Sequence, residues 1–184
     1  SFGSTAIAGY SAGMRIESLS IVPMLAMGNA MSTFTAQNMG AGKIDRVKEG
    51  YRMCYVIVLT AGAVLCVMYQ LAGGAFVSLF LDSGSSEAYS VGLSYVKFLS
   101  FFYSFIGLKA STDGLLRGAG DVTAFTVANL VNLAIRVSVT NLFAPIYGIQ
   151  VAWMAVPLGW AANYVISFGW YLTGKWKKVR VIKK

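Results

Sequence analysis

Two stretches without one charged side chain, Met53 to Leu81 and Val137 to Gly174, constrain this chain more than any other feature. Each exceeds the roughly 20 apolar residues that cross a bilayer's hydrocarbon core. Soluble domains carry charge at about a quarter of their positions. Here 12% of the 184 residues are charged and 57% are hydrophobic. An all-α integral membrane protein is expected, because a helix closes its own backbone hydrogen bonds where water is absent.

Five spans can be placed, at about 4–36, 51–81, 88–116, 122–143 and 149–173, followed by a basic tail over 174–184. Gly40 and Gly42 punctuate the first break and Asp82-Ser83-Gly84-Ser85-Ser86 the second. Gly118-Ala119-Gly120-Asp121 makes the third and Ala144-Pro145-Ile146-Tyr147-Gly148 the fourth. Pro23 and Pro157 fall inside spans and predict a kink or local unwinding. Lys43, Arg46, Lys48 and Arg52 follow the first span, Arg117 ends the third, and six basic residues follow Gly174. The two intervening loops carry none. Lys and Arg gather on cytoplasmic loops, so the chain is expected to start outside, at Ser1, and end in the cytoplasm.

The net charge of +8 belongs to these loops. It suits anionic membrane lipid as a partner rather than nucleic acid, since no basic face carries interleaved stacking aromatics. Histidine is absent, which removes Ser-His-Asp and His-ligated zinc chemistry. Cys54 and Cys66 read as small apolar residues of one span. A chain opening on Ser1 reads as part of something longer. No metal site or organic cofactor is assigned.

Arg15, Glu17, Lys97 and Arg136 lie well inside predicted spans. An ionisable group at the bilayer centre costs about 2.5–3.5 kcal/mol on insertion scales, so it defaults to a functional hypothesis. All four fall in one layer of the outer half. Asn129, Asn132, Arg136 and Thr140 share a stripe of the fourth span; Ser90, Ser94, Lys97 and Ser104 share one of the third. A polar cavity bordered by Arg15, Glu17, Lys97, Asn129, Asn132 and Arg136 is expected. Glu17, the lone carboxylate at that depth, is the candidate to bind a proton or cation, or else a counter-ion to Lys97 or Arg136. Lys109 and Asp113, spaced i, i+4, read as a surface or interfacial ion pair, or as part of a cytoplasmic gate.

Gly118-Ala119-Gly120-Asp121 matches the GxGD string of intramembrane aspartyl proteases, but those need a second aspartate at equal depth on another helix. None is present, so no enzyme is expected. With its flanks, Asp113-Gly114-Leu115-Leu116-Arg117-Gly118-Ala119-Gly120-Asp121 resembles the loop between helices 10 and 11 of the MATE (multidrug and toxic compound extrusion) transporters. Gln37-Asn38-Met39-Gly40-Ala41-Gly42-Lys43 through Arg46 resembles their loop between helices 8 and 9. Arg15-Ile16-Glu17 followed by Pro23 is similar to helix 8 of bacterial members.

This resemblance covers essentially the whole chain. It implies the last five helices of a two-lobed, twelve-helix fold, with the N-terminal lobe and helix 7 as missing partners. It further implies antiport that exports drugs and organic cations across the cytoplasmic membrane in exchange for Na⁺ or H⁺. One branch of the family places a coupling carboxylate midway along helix 10. Here that region reads Ser104-Phe105-Ile106-Gly107, so this site does not carry over. The alternative within the same superfamily is a flippase of lipid-linked oligosaccharides, using a basic cavity for pyrophosphate.

Overall fold

A computed structural model describes residues 3–82, 86–148 and 150–178. Six helices follow one another: α1 (Ser4–Gly40), α2 (Ile44–Val77), α3 (Ser86–Ser100), α4 (Tyr103–Gly118), α5 (Val122–Tyr147) and α6 (Gln150–Leu172). A 3₁₀ turn, Lys175–Lys178, closes the described chain, and no strand occurs among the described residues. Four helices are long and apolar enough to span a membrane, and α3 with α4 supplies a fifth span. The protein is an all-α integral membrane protein. Its outer surface agrees: Leu71 is 84% exposed and Ile146 72%, positions that only lipid would solvate well.

Several boundaries differ from expectation. At 37 and 34 residues, α1 and α2 overrun the bilayer, reaching roughly 50–55 Å at 1.5 Å per residue. The fourth break is not a loop, since α5 continues through Pro145 to Tyr147. Pro145 lacks the N–H that would reach the Asn141 carbonyl, but α5 runs only two residues beyond it, and Gly148 (φ 89°) then ends the helix, its N–H reaching Ala144 O at 3.0 Å. Neither Pro23 nor Pro157 unwinds its helix. Arg180, Lys183 and Lys184 of the basic tail, and Ser83 to Ser85 of the second break, lie outside the described residues.

The third span is broken. α3 and α4 meet at 52° around Phe101 and Phe102, with no glycine or proline at the break to announce it. The Phe102 N–H turns back to Leu99 O at 2.9 Å. The Lys97 carbonyl instead accepts from Gln70 Nε2 of α2 (2.9 Å) and from Ser100 Oγ (2.7 Å). A break inside a membrane persists only where such carbonyls find partners. Replacing Gln70 by leucine leaves Ser100 alone to cap the break. It is expected to cost about 1 kcal/mol, read as a lowered unfolding midpoint of the full-length protein in detergent.

The central helix is α4, which packs on α1, α2 and α6, whereas α5 leans almost wholly on α6. Small residues let α1 and α4 approach backbone to backbone. A Cβ at Gly114 would stand 2.1 Å from Gly28 O, and one at Gly118 would stand 2.2 Å from Ser32 O. Gly114 and Gly118 form a GxxxG pair, the spacing that lines one helix face with backbone. The ends carrying basic residues gather at one end of the bundle, where Trp170 Nε1 donates to Asp121 Oδ2 at 2.6 Å and Asp45 lies in the field of Lys177.

Candidate functional site

The intramembrane polar groups form two clusters rather than one layer. In the first, half-buried Glu17 on α1 accepts a hydrogen bond from the Tyr95 hydroxyl of α3. Tyr95 is fully buried between Tyr10 and Trp153, each ring meeting it edge-on at 5.1 and 5.5 Å. Arg136 on α5 lies in electrostatic range of both Glu17 and Tyr10. Gly159 of α6 makes the room for this arrangement, because a Cβ there would sit 2.2 Å from Asn132 Oδ1 and 2.9 Å from Arg136 Cγ. Asn132 Oδ1 and Trp153 Nε1 are buried without a hydrogen-bond partner among the described residues, an acceptor and a donor left over on these two helices.

Arg15 and Lys97 stand apart from this cluster. Residues two apart on a helix project about 200° from each other, so Arg15 turns away as Glu17 turns in. Arg15 is exposed, beside Ser11, Phe80 and Leu81 at the end of α2. Lys97 is likewise two residues from Tyr95 and lies along α2, where a Cβ on Gly73 would touch its Cε at 3.8 Å. Only Glu17, Asn132 and Arg136 of the six expected residues are drawn toward one place. Arg15 and Lys97 thus have neighbours on and just beyond α2 rather than on α5.

Asn129 belongs to the second cluster, about 10 Å further along α5 from Arg136. Its Nδ2 donates to Asp113 Oδ2 (3.3 Å) and its Oδ1 accepts from Lys109 Nζ (3.1 Å). Lys109 and Asp113 pair at 2.9 Å with their side chains only 13% and 6% exposed. The expectation of a surface or interfacial pair is therefore corrected: helices α5 and α6 bury it against α4. Asp113 Oδ1 accepts from Ser167 Oγ of α6 at 2.6 Å, and Ser167 also reaches Asn163 Oδ1 at 3.4 Å. Asn163 and Ser167 were missed by sequence reasoning. Their signal was two polar residues at i, i+4 in an otherwise apolar span.

Beside this cluster Arg117 Nη2 donates to Asn29 Oδ1 at 2.8 Å, and its guanidinium lies 5.6 Å from the Phe125 ring centre. Toward α2 the hydroxyls of Tyr51, Tyr55 and Thr112 bond one another, tying α2 to α4. Asp121 of the GxGD string serves the fold by capping α5, where it accepts from Ala124 N at 3.5 Å as well as from Trp170. Asp113 is bound to Lys109 instead, so no carboxylate pair forms.

Polar and ionisable side chains gathered at two levels, in a bundle of four or five candidate spans with one broken between α3 and α4, define a helical membrane-protein lobe. The MatE family model matches residues 1–155, and the chain belongs to that family of multi-pass membrane proteins. The probable multidrug resistance protein YpnP of Bacillus subtilis (strain 168) is 28% identical over 182 residues, covering 98% of this chain and 40% of the relative. The fold matches MATE in the bent conformation with a TM-score of 0.84 at 16% identity, over 94% of this chain and 39% of that one. It also matches the inward-facing conformation of a multidrug resistance MATE family transporter of the MOP superfamily, with a TM-score of 0.82 at 18% identity, over 91% and 38%. The chain spans about 40% of the length of the curated relative.

Proposed function

We propose that this chain is the C-terminal lobe of a secondary antiporter of the bacterial cytoplasmic membrane. The complete protein exports small organic molecules, drugs and organic cations among them, in exchange for Na⁺ or H⁺. The lobe starts outside and ends in the cytoplasm, and it works against an N-terminal lobe across a central cavity. The observation that carries this reading is Glu17, a carboxylate well within a span, hydrogen-bonded by Tyr95 and within electrostatic range of Arg136.

The chemistry follows from that placement. A proton or a cation at Glu17 cancels the charge that attracts Arg136. The two residues sit on helices with different partners, Glu17 on α1 against α3 and α4, Arg136 on α5 against α6. Loading the site thus loosens one side of the lobe from the other, and an organic cation competing for the same carboxylate would be released. Tyr95 holds the carboxylate in one orientation throughout.

In proteoliposomes of the full-length protein, efflux of a cationic dye is expected to require an imposed Na⁺ or H⁺ gradient. Glu17→Gln should lower gradient-driven efflux at least tenfold without reducing the amount of protein in the membrane, and Tyr95→Phe should give a smaller loss. Efflux unchanged in Glu17→Gln would overturn the assignment.

A further inference from the structure

The second cluster borders a cavity of about 200 Å³ between α1, α4 and α5, distinct from the Glu17 site. We infer that it is a binding subsite for the anionic group of an aromatic organic anion. The inference rests on hydrogen-bond and charge accounting within its walls. The ionisable groups lining it are Lys109, Arg117 and Asp113, which sum to one positive charge. Asp113 already receives three hydrogen bonds, from Lys109, Asn129 and Ser167, of the roughly four that its two oxygens can accept. It has little left to offer an incoming cation.

The unused capacity lies in donors. Lys109 spends two of its three N–H groups on Asp113 and Asn129. Arg117 spends one on Asn29, and no carboxylate among the described residues bonds it. A guanidinium keeps five donors in a planar fork suited to carboxylate, sulfonate or phosphate oxygens. Asn29 orients that fork, and Phe125 lies at its face. Leu25, Ala110 and Phe125 add apolar wall. Donors, net positive charge and a ring together select an anion attached to a flat apolar body. The volume is below the roughly 300–1,000 Å³ of a complete drug site, so this cavity takes one end of a larger molecule.

The subsite deepens the exporter reading by naming a substrate class that it leaves open, and it rests on that reading only in calling the ligand a substrate. Its test is therefore binding without transport. Full-length protein in nanodiscs of zwitterionic lipid is titrated with 1-naphthalenesulfonate and with 1-naphthylmethylammonium, which share a ring and differ in charge. The sulfonate is expected to bind at least tenfold more tightly. Arg117→Gln, which keeps a polar amide but no charge, should remove that preference, and Phe125→Leu should weaken the sulfonate while retaining the preference. Equal or tighter binding of the ammonium, no sulfonate binding, or sulfonate affinity within twofold of wild type in Arg117→Gln would each overturn the subsite. None of those results bears on gradient-driven efflux at Glu17, so the two readings fail separately.

Discussion

Full-length protein carrying Gly114→Leu is expected to disappear from the folded membrane fraction. The Cβ alone would approach Gly28 O to 2.1 Å, and the obstructing atom is backbone, which cannot rotate aside. Relief requires α1 and α4 to separate, and that also strips the neighbouring contact of Gly118 on Ser32. Overpacking by a methyl group typically costs about 1–3 kcal/mol, the loss expected of Gly114→Ala. Leucine adds three further carbons to the same gap. Gly169→Leu serves as the control, since nothing lies within 4 Å of a Cβ at that position. Size-exclusion profiles in detergent read the result: aggregation for Gly114→Leu and a monodisperse peak for Gly169→Leu. A monodisperse Gly114→Leu would refute the packing argument.

The next largest effect is expected at Asp113. Replacing it by alanine leaves the Lys109 ammonium buried, with Asn129 Oδ1 as its remaining partner. Removing one member of a buried pair costs about 3–5 kcal/mol, because the other charge stays desolvated. Removing both costs far less, and well-packed apolar pairs are often neutral. The double substitution Lys109→Met with Asp113→Leu is thus expected to recover most of the unfolding midpoint lost in Asp113→Ala. Thermal unfolding of wild type and the two variants decides between a buried pair and a solvated one. If Asp113→Ala melts with wild type, the pair contributes only as surface pairs do, in tenths of a kcal/mol.

Hydrophobic run length and loop charge made the five spans legible, since each depends on composition over tens of residues. The break at Phe101 was not legible. Its cause is Gln70, far away in sequence on α2, supplying the hydrogen bond that lets the Lys97 carbonyl leave its helix. Pro145 misled in the opposite sense: α5 runs two residues past it, since one forgone N–H bond near a helix end leaves the preceding turns intact.

The polar residues divide in the same way. Periodicity along α5 placed Asn129, Asn132 and Arg136 on one stripe, and they do share one. Periodicity is blind to what faces each level of that stripe. Tyr95 and Glu17 approach it at one level, Lys109, Asp113 and Ser167 at another. The order of residues was enough to establish that this chain lives in a membrane, that it is built of long apolar helices, and that it carries charges requiring partners. Those are properties of transfer free energy, which sums over residues wherever they lie. Which charge meets which partner was settled by the packing of the helices. A Coulombic contact or hydrogen bond depends on the distance between them, and one turn or one residue of phase exchanges one neighbour for another.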